Sequence, residues 1–240
     1  RGVNAFRNMK KGKQTLLVTG GAGYMGSHAV DRLLQEGYRV AVVDNLASGK
    51  KENVNPKAKF YRLDILDKKL AGVFQKEKPD TVFHFAAHIE ARVSVADPLA
   101  DAKTNILGTL NVLEQCRKYK VGKILFASSG GEVYGEAETI PTPETYRAKP
   151  LSPYGVAKLA AEQYCAVYSR LFGLQYVGLR FGNVYGPRQN PNGEAGVVAI
   201  FANQMLQNKA VSIHGTGKQT KDYIFISDAI EAAMKAFHQN

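Results

Sequence analysis

A glycine-rich turn near the N-terminus constrains the fold of this chain more than any other feature. The apolar run Thr15–Thr19 is typical of a short buried strand, and helical spacing of apolar residues begins at Ser27. Gly20, Gly23 and Gly26 lie between them in the spacing G-x-G-x-x-G. Glycines so spaced allow a tight turn and bring the backbone close to a pyrophosphate at a helix N-terminus. The segment therefore predicts a strand–turn–helix unit that binds a dinucleotide.

An acidic residue follows the turn at the distance that such a unit requires. Asp44 closes the next β-branched run, about 20 residues beyond the turn. A carboxylate there can accept hydrogen bonds from both adenosine ribose hydroxyls and would repel a 2′-phosphate, so NAD is favoured over NADP. Asp64, just past a third strand-like run, is placed either to border the adenine or to cap the following helix, and the pattern leaves both open.

Strand-like and helix-like segments alternate as far as Arg180. Strands are predicted at 15–19, 39–43, 59–63, 81–85, 123–127 and 175–179, and helices at 27–36, 66–77, 99–119 and 153–172. Short buried strands separated by helices imply a parallel sheet that is covered on both faces and entered by right-handed crossovers. The pattern therefore predicts an α/β fold with a doubly wound parallel sheet.

Three regions are expected along the chain. The basic segment 1–13 reads as an N-terminal extension with Met9 as a candidate start, and 14–180 as the dinucleotide-binding domain. Gly, Pro and Asn then dominate 182–196, so 181–240 is expected to form a smaller, incomplete substrate-binding lobe with elements that return to the first domain. The basic N-terminus lacks the apolar segment of a secretory signal, which predicts a cytoplasmic location.

Composition and charge limit the partners. Lys and Arg exceed Asp and Glu by 32 to 21, a net charge of +11, which raises the question of nucleic-acid binding. The lysines are scattered between elements and at helix ends, as on an ordinary solvated surface. Attraction of a small anionic substrate is the second interpretation, and no nucleic acid is expected. No apolar run reaches the roughly 18 residues of a membrane span, so no membrane partner is expected.

Neither metal nor disulfide is predicted. Cys116 and Cys165 each lie on an apolar helical stretch without ligand-like neighbours, and both are interpreted as buried free thiols. The residues His84, His88, His214 and His238 lack metal-ligand spacing and are interpreted as packing or surface residues. Only His88, just past the fourth strand, is also placed to touch cofactor or substrate.

A tyrosine and a lysine form the candidate catalytic pair. Tyr154 and Lys158 are spaced i, i+4 on a predicted helix, so their side chains share one face. A neighbouring cation stabilises phenolate and lowers the pKa of a tyrosine, which lets Tyr154 act as general base on a sugar hydroxyl. Ser128 and Ser129 end a strand on the side where doubly wound sheets bind ligands. The hydroxyl of Ser129 can there bridge a substrate oxygen and Tyr154.

Further motifs continue in order along the chain: Asp44-Asn45-Leu46, Asp64-Ile65, Phe85-Ala86-Ala87, Ser94 with Asp97-Pro98, Asn105 with Gly108-Thr109, Val133-Tyr134-Gly135, Ser152-Pro153-Tyr154, Arg180 to Gly186, and Asp222-Tyr223-Ile224. Together with the glycine turn they resemble the extended short-chain dehydrogenase/reductase family. Within that family the chain is most similar to the UDP-glucose 4-epimerases and related nucleotide-sugar epimerases. The resemblance extends from about residue 14 to the C-terminus and implies a Rossmann-like fold.

The resemblance implies a set of site residues and an activity. NAD would be bound by Gly20, Gly23, Tyr24, Met25, Gly26, Asp44, Asn45, Ser48, Gly49, Asp64, Ile65, Phe85, Ala86, Ala87, Asn105, Tyr154 and Lys158. The nucleotide-sugar substrate would contact Ser129, Tyr154, Asn183, Val198 and Lys221. Epimerisation at C4 would proceed through a transient 4-keto sugar, most similar to the UDP-glucose/UDP-galactose type. The helices at 99–119 and 153–172 would pair across a homodimer as a four-helix bundle.

Departures from the family pattern keep other activities open. Gly130 stands where many members carry a catalytic Ser or Thr, so the hydroxyl role falls to Ser129 or is lost. Nucleotide-sugar 4,6-dehydratases and UDP-glucuronate decarboxylases use a Thr with acids here, and this chain retains only Glu132, so these activities rank below epimerisation. Lys221 replaces an Arg that would grip the diphosphate in two places, and it lacks the planar fork. A non-catalytic NAD or nucleotide-sugar binding protein is the alternative of another class.

Overall fold

A parallel sheet forms the centre of the protein. The computed structural model describes residues 14–192, 196–213 and 215–239, so the predicted extension 1–13 and His214 lie outside the described residues. The sheet contains β1 (Thr15–Thr19), β2 (Arg39–Asp44), β3 (Lys59–Arg62), β4 (Thr81–His84), β5 (Lys123–Ser129) and β6 (Gln175–Phe181). Its order, β3-β2-β1-β4-β5-β6, confirms the predicted doubly wound parallel α/β fold. Successive strands are added on one side of β1 as far as β3 and on its other side from β4 onwards. Folds of this kind form a ligand crevice at this switch point, between β1 and β4.

Helices cover both faces of this sheet. They are α1 (Tyr24–Gln35), α2 (Leu70–Glu77), α3 (Ala91–Ala96), α4 (Pro98–Ala102), α5 (Thr109–Lys118), α6 (Gly130–Tyr134), α7 (Pro153–Phe172), α8 (Val197–Leu206) and α9 (Ile226–His238), with a 3₁₀ turn at Lys51–Asn53. The bounds of α7 follow from local sequence. Ser152 accepts a hydrogen bond from the N–H of Gly155, Pro153 occupies the first turn, and Gly173 ends the helix at φ +72°.

The core consists of two apolar clusters, one on each face of the sheet. Along β1, Leu17 belongs to the cluster under α5 and α7, whereas Leu16 and Val18 belong to the cluster under α1 and α9. This alternation is the period of two that a strand imposes on its side chains. Both cysteines are buried free thiols on the α5 and α7 side, as predicted, and burial raises the pKa of each.

The helix predicted over 99–119 is present without a break from Pro98 to Lys118, but it is not α-helical throughout. Its middle, Lys103–Gly108, is a π-helical turn between α4 and α5. Within this turn the side chain of Asn105 donates to Asp101 Oδ1 at 2.8 Å and to the carbonyl of His88 at 2.9 Å. A widened turn of this kind commonly marks a functional site, and here it joins the helix to the loop after β4.

A small second sheet lies beyond β6. Strands β7 (Asn183–Tyr185) and β8 (Tyr223–Phe225) pair in parallel. The helix that follows, α9, packs back onto the first sheet through Ile226, Ile230 and Met234. Across the described residues, no helix has the length and apolar character needed to cross a membrane.

Candidate active site

A cavity of about 560 Å³ opens at the carboxyl ends of the central strands. It brings together most of the residues that the sequence singled out. Those that line it are Gly20, Gly23, Tyr24, Met25, Gly26, Asp44, Asn45, Ser48, Asp64, Ile65, Phe85, Ala86, Ala87, Ser129, Tyr154 and Lys158. Residues from the N-terminal turn and from α7, more than 120 positions apart in the chain, therefore face one space.

The glycine turn is packed so closely that side chains are excluded from it. Gly20 has φ +72°, and a Cβ there would lie 2.6 Å from the backbone nitrogen of Ala86. A Cβ at Gly26 would lie 2.1 Å from the carbonyl oxygen of Gly20. Gly23, the N-cap residue of α1, supplies no side-chain cap. The first turn of α1 thus receives no capping side chain from its own N-cap residue, which suits an anionic ligand.

Asp44 and Asp64 organise the opposite end of the cavity. Asp44 is 8% exposed; its Oδ2 accepts from the N–H of Ala22 at 2.9 Å and its Oδ1 from the N–H of Leu46 at 2.8 Å. A carboxylate offers about four lone-pair positions, so Asp44 keeps acceptor capacity for a ligand. Asp64 does not cap α2, because Lys69 is the N-cap residue. It instead accepts a 2.7 Å hydrogen bond from Asn45 Nδ2 beside the cavity.

Tyr154 and Lys158 lie one turn apart on α7, both buried. The Lys158 ammonium donates to the carbonyl of Ala127 at 2.8 Å and lies 5.7 Å from the centre of the Tyr154 ring. Burial lowers the pKa of Lys158 to about 8, against the opposing effect of the Asp101 and Glu162 carboxylates. Burial raises the pKa of Tyr154, and Glu132 and Asp101 raise it further. The predicted lowering of this pKa by Lys158 is not seen in this structure, where burial and the two carboxylates raise it.

Serine hydroxyl groups cap the helices around Tyr154 and contact its backbone. Ser129 is the N-cap residue of α6, where its Oγ accepts from the N–H of Glu132 at 3.3 Å and keeps its own proton for donation. Ser94 Oγ accepts from the N–H of Tyr154 at 3.1 Å. Ser152, the N-cap residue of α7, donates to Glu132 Oε2 at 2.5 Å. Tyr154 is therefore placed by a capped helix end and by a serine from α3.

Five predicted site residues do not line the cavity. Asn105 is buried behind it, where its Oδ1 accepts from the N–H of His88 at 2.9 Å. Gly49 packs against Ala22, since a Cβ there would lie 2.8 Å from the Ala22 carbonyl carbon. The other three, Asn183, Val198 and Lys221, are exposed residues of the region after β6.

Several lining residues were not predicted from the sequence, and the role of His88 was left open. His88, Ile89 and Glu90 contribute from the loop after β4, and Thr104 from the π-helical turn. Phe181 contributes from the end of β6, and Gly182, Val184 and Gln189 from the region after it. Phe181 and Gly182 lie at the carboxyl end of β6, and His88 to Glu90 lie in the loop that leaves the carboxyl end of β4, where sheets of this kind bind ligands. Thr104 carries no such signal. Among residues 14–192, 196–213 and 215–239, no group of His, Cys, Asp or Glu side chains is arranged to hold a metal.

The chain is similar in sequence and in structure to known epimerases. The model of the NAD dependent epimerase/dehydratase family matches residues 16–240. The chain is 48% identical to the crystallised UDP-glucose 4-epimerase of Thermotoga maritima with UDP-glucose, at a TM-score of 0.93 over 95% of this chain and 74% of that one. The chain is 46% identical to the UDP-glucose 4-epimerase of Thermus thermophilus in complex with NAD, with a TM-score of 0.91. That match covers 95% of this chain and 75% of the other. The UDP-glucose 4-epimerase of Mycolicibacterium smegmatis is 43% identical over 92% of this chain and 72% of its own length.

Proposed function

This chain belongs to the NAD dependent epimerase/dehydratase family, and on that premise we propose that it interconverts nucleotide sugars by NAD-dependent epimerisation at C4. UDP-glucose and UDP-galactose are the proposed pair, related through a transient 4-keto sugar. The observation that carries the proposal is the convergence of the glycine turn, Asp44 and the Tyr154–Lys158 pair on one cavity.

The residues present fit NAD. A turn with glycine at 20, 21 and 23 leads into a helix N-terminus, and Asp44 keeps unused acceptor positions at the cavity edge. The hydroxyl of Tyr24 is buried without a partner among the described residues, as expected of a group that awaits a polar ligand. In this proposal the turn holds the pyrophosphate, Asp44 and Asn45 the adenosine ribose, and Phe85 to Ala87 the nicotinamide half. Bound NAD supplies a reversible acceptor for the electron pair released at C4.

Tyr154 is the proposed base for the 4-hydroxyl of the sugar. Its raised pKa means that the phenolate needs a nearby positive charge, and the Lys158 ammonium is the buried cation on the same face of α7. With a pKa of about 8, Lys158 stays largely protonated at neutral pH. Ser129 has a free hydroxyl proton to donate to the oxygen that Tyr154 deprotonates. These three residues together hold and move one proton at the sugar oxygen.

Epimerisation ranks above dehydration and decarboxylation. Those reactions would need an acid at the start of α6, directly after β5, and Glu132 is the acidic residue of that helix. Its carboxylate accepts the hydroxyl of Ser152, the residue that caps α7, and it does not line the cavity. This engagement supports a structural role for Glu132 in holding the helix that carries Tyr154.

Turnover with a panel of UDP-, dTDP- and GDP-sugars tests the proposal. Chromatography with mass detection should show a product of unchanged mass and shifted retention. Tyr154→Phe should keep bound NAD and lose at least about 100-fold in turnover. Tyr164→Phe, on the exposed face of the same helix, is the matched control. An undiminished Tyr154→Phe enzyme would refute the role of Tyr154, and wild-type protein that binds NAD but converts no sugar would favour a binding-only function.

A homodimer and a cytoplasmic location complete the proposal. Leu99, Leu107, Val156 and Leu171 are more than half exposed on α4, the π-helical turn and α7, which supports pairing of these helices with a second copy as a four-helix bundle. A monomer in light scattering at micromolar concentration would refute the dimer. The two unpaired thiols agree with a reducing compartment such as the cytoplasm.

A further inference from the structure

His88 lies on the cavity wall with its backbone held on both sides. It belongs to the loop after β4 and lines the cavity beside Ile89 and Glu90. The side chain of Asn105 accepts from the N–H of His88 and donates to its carbonyl, both at 2.9 Å. Asn105 in turn donates to Asp101 Oδ1 at 2.8 Å. A buried polar cluster therefore sets the position of this histidine more tightly than packing of a loop would.

One ring nitrogen of His88 is buried beside a carboxylate. Nδ1 is buried and lies 3.5 Å from Asp101 Oδ1, while the side chain as a whole is 34% exposed. Asp101 itself is fully buried, and its Oδ2 has no hydrogen-bond partner in the described part of the chain. A neutral imidazole donates from one nitrogen and accepts at the other. With the Nδ1 proton directed at the carboxylate, the Nε2 lone pair is free to accept a hydrogen bond.

We propose that His88, oriented by Asp101, binds the sugar of the substrate by accepting a hydrogen bond at Nε2 from a sugar hydroxyl. The inference rests on the proposed function, since a nucleotide sugar is the ligand assumed at this end of the cavity. Glu90 and Thr104 add polar groups to the same wall, as a binding surface for several hydroxyls requires. Tyr154 and Ser129 are assigned to the reacting oxygen. His88 therefore contacts a different oxygen and acts on binding rather than on chemistry.

Two substitutions of His88 separate this role from a structural one. The amide of Gln in His88→Gln extends to the place of Nε2 and retains a polar group in the cavity, whereas the shorter Asn in His88→Asn reaches only the place of Nδ1. In NAD-loaded protein, the Kd for UDP-glucose measured by calorimetry should rise about tenfold in His88→Asn and less than about threefold in His88→Gln. KM should follow Kd with kcat nearly unchanged, because the contact is made equally in ground and transition states. Bound NAD should be the same in both variants.

The tautomer of His88 gives a readout that does not depend on activity. Nitrogen NMR of the neutral ring should find the proton on Nδ1 in the wild type. Asp101→Asn should reduce the Nδ1–H population and raise the Kd for UDP-glucose.

The measurements distinguish failure of the proposed role of His88 from failure of the proposed epimerase function. Equal Kd values in the Asn and Gln variants, or a wild-type proton on Nε2, would overturn the role of His88 and leave the proposed function standing. Wild type that binds UDP-glucose without converting it would overturn the epimerase proposal alone. Wild type that binds no UDP-glucose would overturn both.

Discussion

Lys158→Met is expected to stabilise the NAD-free protein at neutral pH while removing its activity. Lys158 is 3% exposed, and its ammonium has one backbone acceptor, the carbonyl of Ala127. Met has a similar length and no charge, so it fills the same space without a buried cation. A residue kept for function at the cost of stability should behave in this way.

The magnitude follows from the lowered pKa of Lys158. This pKa falls from 10.5 to about 8 on folding, and at about 1.36 kcal/mol per pKa unit the penalty is about 3 kcal/mol. The unfolded chain binds the proton more tightly, so the full penalty applies below pH 8 and disappears as the pH rises towards 10.5. Loss of the hydrogen bond to Ala127 destabilises the variant by about 1–2 kcal/mol. The net gain at pH 7 should be about 1–2 kcal/mol.

Urea unfolding at several pH values measures this effect. The stability difference between Lys158→Met and wild type should be about 2 kcal/mol smaller at about pH 9.5 than at about pH 7, because the wild type releases its proton over that range. Lys68→Met, at an exposed position of the loop before α2, should show no such trend. A difference that stays constant with pH, or a variant less stable than wild type at pH 7, would refute the reasoning.

Two further predictions concern a close approach and a helix end. Gly26→Ala should abolish NAD binding and lower the free energy of unfolding by about 1–3 kcal/mol, because its Cβ would lie 2.1 Å from Gly20 O. The control Gly72→Ala, in open space on α2, should instead stabilise the protein slightly. An NAD titration and thermal unfolding compare the two variants. Lys123→Met should destabilise by about 1–2 kcal/mol and speed hydrogen exchange in α9, since the Lys123 ammonium donates to the carbonyls of Ala236, Phe237 and Gln239. Unchanged exchange in α9 would show that these carbonyls find other donors.

The local sequence pattern was sufficient to predict the parallel sheet and the pairing of functional residues that lie on one helix. The bounds of Thr15–Thr19 and of α7 were predicted from the pattern of apolar residues alone. Tyr154 and Lys158 were paired because a spacing of four residues places side chains on one helix face. The glycine turn was recognisable because the positive φ and close approach that it requires exclude other residues.

Tertiary structure alone decided the environment of those residues. The rise in the pKa of Tyr154 and the fall in that of Lys158 come from burial, which no spacing in the sequence records. The π-helical turn exists where Asn105 reaches across to the backbone of His88, 17 positions earlier in the chain. The approach of His88 to Asp101 depends on the same packing. The sequence by itself determined which backbone could form, because propensity and periodicity are local; hydration and long-range contact, which set the chemistry of each group, exist only once the chain has folded.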